Sequence, residues 1–188
     1  MGFTRAELES YRGATLPDLL GPGTRLLFVG INPGLLTAAM QVHFGRRGNR
    51  FYPALYRAGI TDHLIDAAGG MKADDQQHLL DRGIGITNLV AAATARADEL
   101  TPAELVAGAA NLVRTVARVR PVVTALLGIT AYRTAFAQPK ARTGRQPDGI
   151  AGAQLWVVPN PSGLNAHASL ADLAAAYREA AVAAGILR

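Results

Sequence analysis

The chain has 188 residues, 49% of them hydrophobic and 18% charged, which excludes a charge-rich disordered polymer and is enough for one domain with a real core. Nineteen Lys and Arg against fourteen Asp and Glu give a net charge of +5, a balance that favours a polyanionic partner. Cysteine is absent, so disulfides, thiolate nucleophiles and Cys-ligated zinc or iron–sulfur centres are excluded.

In chain order, the N-terminus lacks an apolar signal-like stretch. A Gly-Pro-Gly turn then leads into the first apolar run, residues 25–31 (RLLFVGI). Three runs of the same kind follow: residues 83–90 (GIGITNLV), 122–128 (VVTALLG) and 154–159 (QLWVVP). Short, β-branched or Leu-rich, and closed by Gly, Pro or polar residues, they read as strands buried on both faces. Segments of helical period lie between them, at residues 50–58, 73–82, 101–119 and 130–137. The third begins Thr101-Pro102-Ala103-Glu104, with an N-cap, Pro at N1 and Glu at N3. A last helix over residues 169–184 carries an apolar stripe through Leu170, Leu173, Ala174, Tyr177, Ala180 and Ala181. Residues 138–152 (QPKARTGRQPDGIAG) are basic and rich in Gly and Pro, as in a long exposed loop or short hairpin.

Strands alternating with helices predict an α/β fold: a three-layer α/β/α sandwich around a central, mostly parallel four-stranded sheet, one domain over residues 1–188. Functional residues are then expected at the carboxyl ends of the strands. No P-loop, dinucleotide fingerprint or serine-hydrolase elbow occurs. The four His show no H-x-x-x-H spacing, so no metal is expected. The most apolar stretch is too short to span a membrane, and the chain is expected in the cytoplasm.

Two strand ends stand out. After the first, Gly30-Ile31-Asn32-Pro33-Gly34 presents Asn32 on a stiffened turn, its amide able to donate and accept at once. An Asx-type turn that merely starts a loop accounts for the same residues equally well. After the fourth, Asn160-Pro161-Ser162-Gly163-Leu164-Asn165 places apolar Leu164 at a loop tip. It suits either a wedge into a base stack or a staple folded back on the last helix.

These motifs, with Asn49-Arg50-Phe51-Tyr52 and Gly85-Ile86-Thr87-Asn88-Leu89-Val90 between them, resemble the mismatch-specific uracil-DNA glycosylase and thymine-DNA glycosylase family. The likeness covers residues 25–177. It implies a cofactor-free monomeric hydrolase that flips uracil or a related pyrimidine, chiefly opposite guanine, out of duplex DNA and leaves an abasic site. By resemblance, Asn32 positions the attacking water and Phe44 stacks on the flipped base. Thr37 lines the pocket, with Ile31 and Gly34 beside the base. Gly163 and Leu164, flanked by Ser162 and Asn165, enter the duplex. An Arg that follows the Gly-Leu pair in the better-known pattern is replaced here by Asn165-Ala166-His167, which predicts looser guanine discrimination.

Asp98 follows the second strand and is a second catalytic candidate, as water activator or as stabiliser of a cationic sugar; its alternative is a loop acid that helps start the next helix. Using Asp98, the chain would be a broader uracil-DNA glycosylase; a catalytically weak mismatch or abasic-site binder is a further alternative. Arg46, Arg47, Lys140 and Arg142 are candidate phosphate contacts. Arg50, which opens a helix, reads as structural.

Overall fold

A computed structural model describes residues 2–188. The four predicted strands form: β1 (Leu26–Gly30), β2 (Ile84–Asn88), β3 (Val123–Leu127) and β5 (Gln154–Val158), all parallel to one another. A fifth, β4 (Gly144–Arg145), pairs antiparallel with β5, so the sheet has five strands in the order β2-β1-β3-β5-β4 and not the four expected. β4 comes from the polar 138–152 segment, which is therefore a hairpin. Two backbone pairings and the buried Gln146, which donates to the Arg142 and Gly144 carbonyls, hold its polar part, and Ile150 anchors its far end in the core.

The strands are buried on both faces because helices cover both. Along β1, Leu26 and Phe28 point into one core, with α3 (Phe51–Arg57), α4 (Ala73–Asp81) and α7 (Leu170–Ala183). Leu27 and Val29 point into the other, under α5 (Pro102–Val119) and α6 (Ile129–Ala135). This period-two division gives the α/β/α layering. Phe28 meets the Phe51 ring edge-on at 5.2 Å and the Tyr177 ring at 5.4 Å, so three elements meet at one aromatic cluster.

Helix ends follow their chemistry. Thr101 and Ser169 cap α5 and α7 in reciprocal capping boxes with Glu104 and Asp172. The stripe on α7 is buried as expected, with Leu170 only partly so. Two short helices lie outside the predicted segments: α1 (Arg5–Glu9), and α2 (Leu35–Met40), whose fewer than two turns leave no period to read. No helix among the described residues is long and apolar enough to cross a membrane.

Candidate active site

All four parallel strands deliver residues to one cleft at their carboxyl ends. Its volume is about 370 Å³. Gly30 to Gly34 come from the end of β1, Asn88 from β2, Leu127 from β3, and Asn160 to Ser162 with Leu164 and Asn165 from the loop after β5. The chain moves from β1 to β2 on one side and to β3 on the other, so the cleft sits at the switch point where open parallel sheets bind ligands.

Asn32 is oriented from behind. Its Nδ2 donates to the Ala92 carbonyl at 3.0 Å and to Thr94 Oγ1 at 2.8 Å. Thr94 in turn donates its hydroxyl hydrogen to the Arg96 carbonyl at 2.7 Å. Both partners of Asn32 therefore act as acceptors, which assigns the amide nitrogen to that side and leaves Oδ1 as its free acceptor. The backbone reinforces the arrangement: Thr94 N–H donates to the Pro33 carbonyl at 3.1 Å.

Phe44 forms an aromatic wall. It stacks on Phe51 with centroids 4.1 Å apart, and it holds a left-handed backbone with φ of 56°. Gly30 makes room for it. A Cβ there would lie 2.6 Å from Asn88 Oδ1 and 3.4 Å from Phe44 Cζ, so a larger residue would push the Asn88 amide away from the strand end. Thr37 is buried in the wall, and Gly34 caps α2 without a side-chain acceptor, so the first-turn N–H groups have no side-chain partner there.

His43 is a buried wall residue. Its Nε2 faces the Pro17 carbonyl at 2.9 Å, which requires the proton on that nitrogen. Burial holds its pKa below the usual histidine range, against the opposing pull of the Pro17 hydrogen bond and the Asp18 charge.

Asp98 also lines the cleft. It lies in a single 3-10 turn, Ala97–Glu99, where its carboxylate pairs with Arg96 at 2.5 and 3.1 Å and remains 62% exposed. Asn32 and Asp98 thus share one cleft, the first fixed by half-buried partners and the second on an exposed turn.

The loop after β5 is tied together by its own side chains. Asn160 Oδ1 accepts from Ser162 N–H at 2.9 Å, and Asn165 Nδ2 donates back to the Asn160 carbonyl at 2.9 Å. Leu164 is 75% exposed, so it does not fold back on α7 as a staple. Arg50 is the residue whose reach the sequence hid: its guanidinium donates to the carbonyls of Ser162, Asn165 and Ala168 at 2.9, 2.8 and 2.5 Å. It clamps the loop from beneath. Arg46 lines the cleft, and Arg47 is exposed beside it. Lys140 and Arg142 are exposed on the 138–152 hairpin and do not line the cleft.

The sequence model of the uracil DNA glycosylase superfamily matches residues 17–183. The fold is shared with a solution NMR structure from Methanosarcina acetivorans, a protein described as a candidate uracil DNA glycosylase. The two have a TM-score of 0.60 and 15% identity over 89% of this chain and 97% of that one. The family match runs through every strand and loop that builds the cleft, and the chain therefore belongs to the uracil DNA glycosylase superfamily.

Proposed function

We propose that the protein excises uracil, and related damaged or mismatched pyrimidines opposite guanine, from duplex DNA by hydrolysing the N-glycosidic bond. The observation that carries this reading is the fixed Asn32 amide, whose free Oδ1 faces the need to hold a water by one of its hydrogens. That water attacks C1′ of the extruded nucleotide while the bond from C1′ to the base nitrogen breaks and its electron pair leaves on the base. Asn32 orients the water but takes no proton, which passes to solvent. The barrier must therefore fall by stabilising the leaving base. The first-turn N–H groups of α2 next to Gly34 and Ile31 suit a developing oxyanion. Phe44, backed by Phe51, offers a face on which the base stacks.

Leu164 stands at the rim as the wedge that fills the vacated stack, with Ser162, Gly163 and Asn165 setting its loop. Arg46 and Arg47 contact phosphates near the cleft, and Lys140 and Arg142 do so from the hairpin. The proposed partner is duplex DNA, bound by a cytoplasmic monomer, and the hydrolysis draws on no cofactor. A second reading rests on Asp98 lining the same cleft. There its carboxylate stabilises the cationic sugar or activates the water, widening the range to uracil in several contexts, single strands included.

End-labelled duplexes carrying G·U, A·U or G·T, and single-stranded uracil, followed by alkaline cleavage of abasic sites, test both readings. Scission chiefly at G·U supports the first, and absence of scission on every uracil substrate overturns it. Asn32→Ala should lower the rate far more than Asp98→Ala. The reverse order assigns the chemistry to Asp98.

A further inference from the structure

Away from the cleft, three potential ligand atoms converge where the connection after α3 meets α4. Asp62, His63 and His78 each present one donor atom, all within 4.8 Å of one another. The spacing rule that argued against a metal does not apply here, because His63 sits in a connecting loop and His78 on α4.

We propose that Asp62, His63 and His78 form a binding site for a divalent transition-series cation, zinc in particular, that fastens the 59–72 connection to α4. The Nε2 atom of His78 is buried and has no hydrogen-bond partner among the described residues, and the carboxylate oxygen Asp62 Oδ1 lies 3.4 Å away. That is the separation of two ligands on a tetrahedral zinc, since bonds of about 2.0–2.2 Å place neighbouring donors about 3.4 Å apart. His63 Nδ1 lies 2.6 Å from the same oxygen. At that distance Nδ1 shares a proton with the carboxylate, and cation binding displaces this proton and widens the contact to ligand spacing.

The far side of His63 is already arranged as a metal-bound histidine requires. Its Nε2 faces Asp75 Oδ1 at 2.7 Å, and the Asp75 side chain is only 12% exposed. A carboxylate receiving the second ring N–H fixes the tautomer that leaves Nδ1 free to ligate, and it raises the basicity of the ring. Two imidazoles and one carboxylate, with the fourth position open to water through exposed His63 and Asp62, select zinc over magnesium or calcium. Ile65 and Ala67 of the connection are in the core, and Ile65 and Asp66 lie beside Arg46 and Arg47. The cation would thus brace the segment on which the basic rim rests.

The test uses the full chain without a polyhistidine tag, treated with chelator and titrated with zinc chloride by calorimetry, with Co²⁺ visible absorption as a geometric probe. One equivalent should bind, with tetrahedral Co²⁺ bands and a raised melting temperature. His63→Gln and His78→Gln should each abolish stoichiometric binding, and Asp75→Asn should weaken it roughly 10–100-fold. Melting curves without metal establish that each variant folds. If His78→Gln does not fold, His63→Gln and Asp62→Asn, both at exposed positions, decide the matter. Binding below one equivalent in the wild type, or unchanged binding in His63→Gln, overturns the site.

Discussion

Gly163 and Gly48 are in backbone contact: a Cβ added to Gly163 would lie 2.9 Å from the Gly48 carbonyl oxygen. The loop after β5 and the basic 46–49 segment are therefore one unit, joined again where Arg50 N–H donates to the Pro161 carbonyl at 3.0 Å. Whatever fixes one loop fixes the other, and the Arg50 side chain is the main fastener.

Arg50→Ala should loosen that unit. Three loop carbonyls lose a charged donor, for a cost of roughly 2–4 kcal/mol in urea unfolding, with new protease cleavage within residues 160–168. Arg50→Lys should restore little, because one ammonium cannot span three divergent carbonyls from a planar fork. Full stability in Arg50→Ala would contradict the clamp.

Thr94→Val keeps the shape of the side chain and removes the hydroxyl that orients Asn32. The expected loss is about 0.5–1.5 kcal/mol of transition-state stabilisation, roughly a two- to thirteenfold fall in kcat, with DNA affinity unchanged. Single-turnover kinetics at saturating enzyme separates the two quantities. A fall in affinity alone would place Thr94 outside the chemistry.

Leu164→Ala should leave stability within about 0.5 kcal/mol, because the side chain is 75% exposed. Duplex excision should drop while excision from single strands holds, since only a duplex has a stack to fill. Equal losses on both substrates would rule out a wedge.

Buried His43 gives a pH signature of defined sign. Its pKa is lowered in the folded chain, chiefly by burial, so the unfolded chain takes up a proton first as pH falls. Its contribution is fully present above about pH 6.5 and is lost below it, by at most about 1.4 kcal/mol per pH unit, until the folded-state pKa is reached. His43→Gln should flatten that slope in urea midpoints measured at about pH 7.5 and 5.5. An unchanged slope would assign the acid sensitivity elsewhere.

The strands were legible in the sequence because burial on both faces leaves unbroken apolar runs. The start of α5 was legible because Thr101 and Glu104 satisfy orphan N–H groups locally and Pro102 has none to satisfy. α2 and β4 were not, being too short for a period, and β4 depends on a buried glutamine. Asn32 was visible from its turn, but its orienting partner Thr94 lies 62 positions away, and pairings at that range leave no local pattern. The reach of Arg50 to residues more than a hundred positions away was hidden for the same reason.

The two-residue strand β4 matters beyond the hairpin it forms. Without it, β5, with the apolar run LWVV, would end the sheet with unpaired N–H and C=O groups, a template for strand addition by another chain. Gln146 N–H, just beyond β4, also donates to the Leu155 carbonyl at 2.8 Å. At the opposite margin, Leu19 and Ile86 exchange backbone hydrogen bonds of 2.9 and 2.8 Å and occupy the middle of β2. Both margins of the sheet are thus blunted against edge-to-edge aggregation by the least regular parts of the chain, segments that lie outside its four apolar runs.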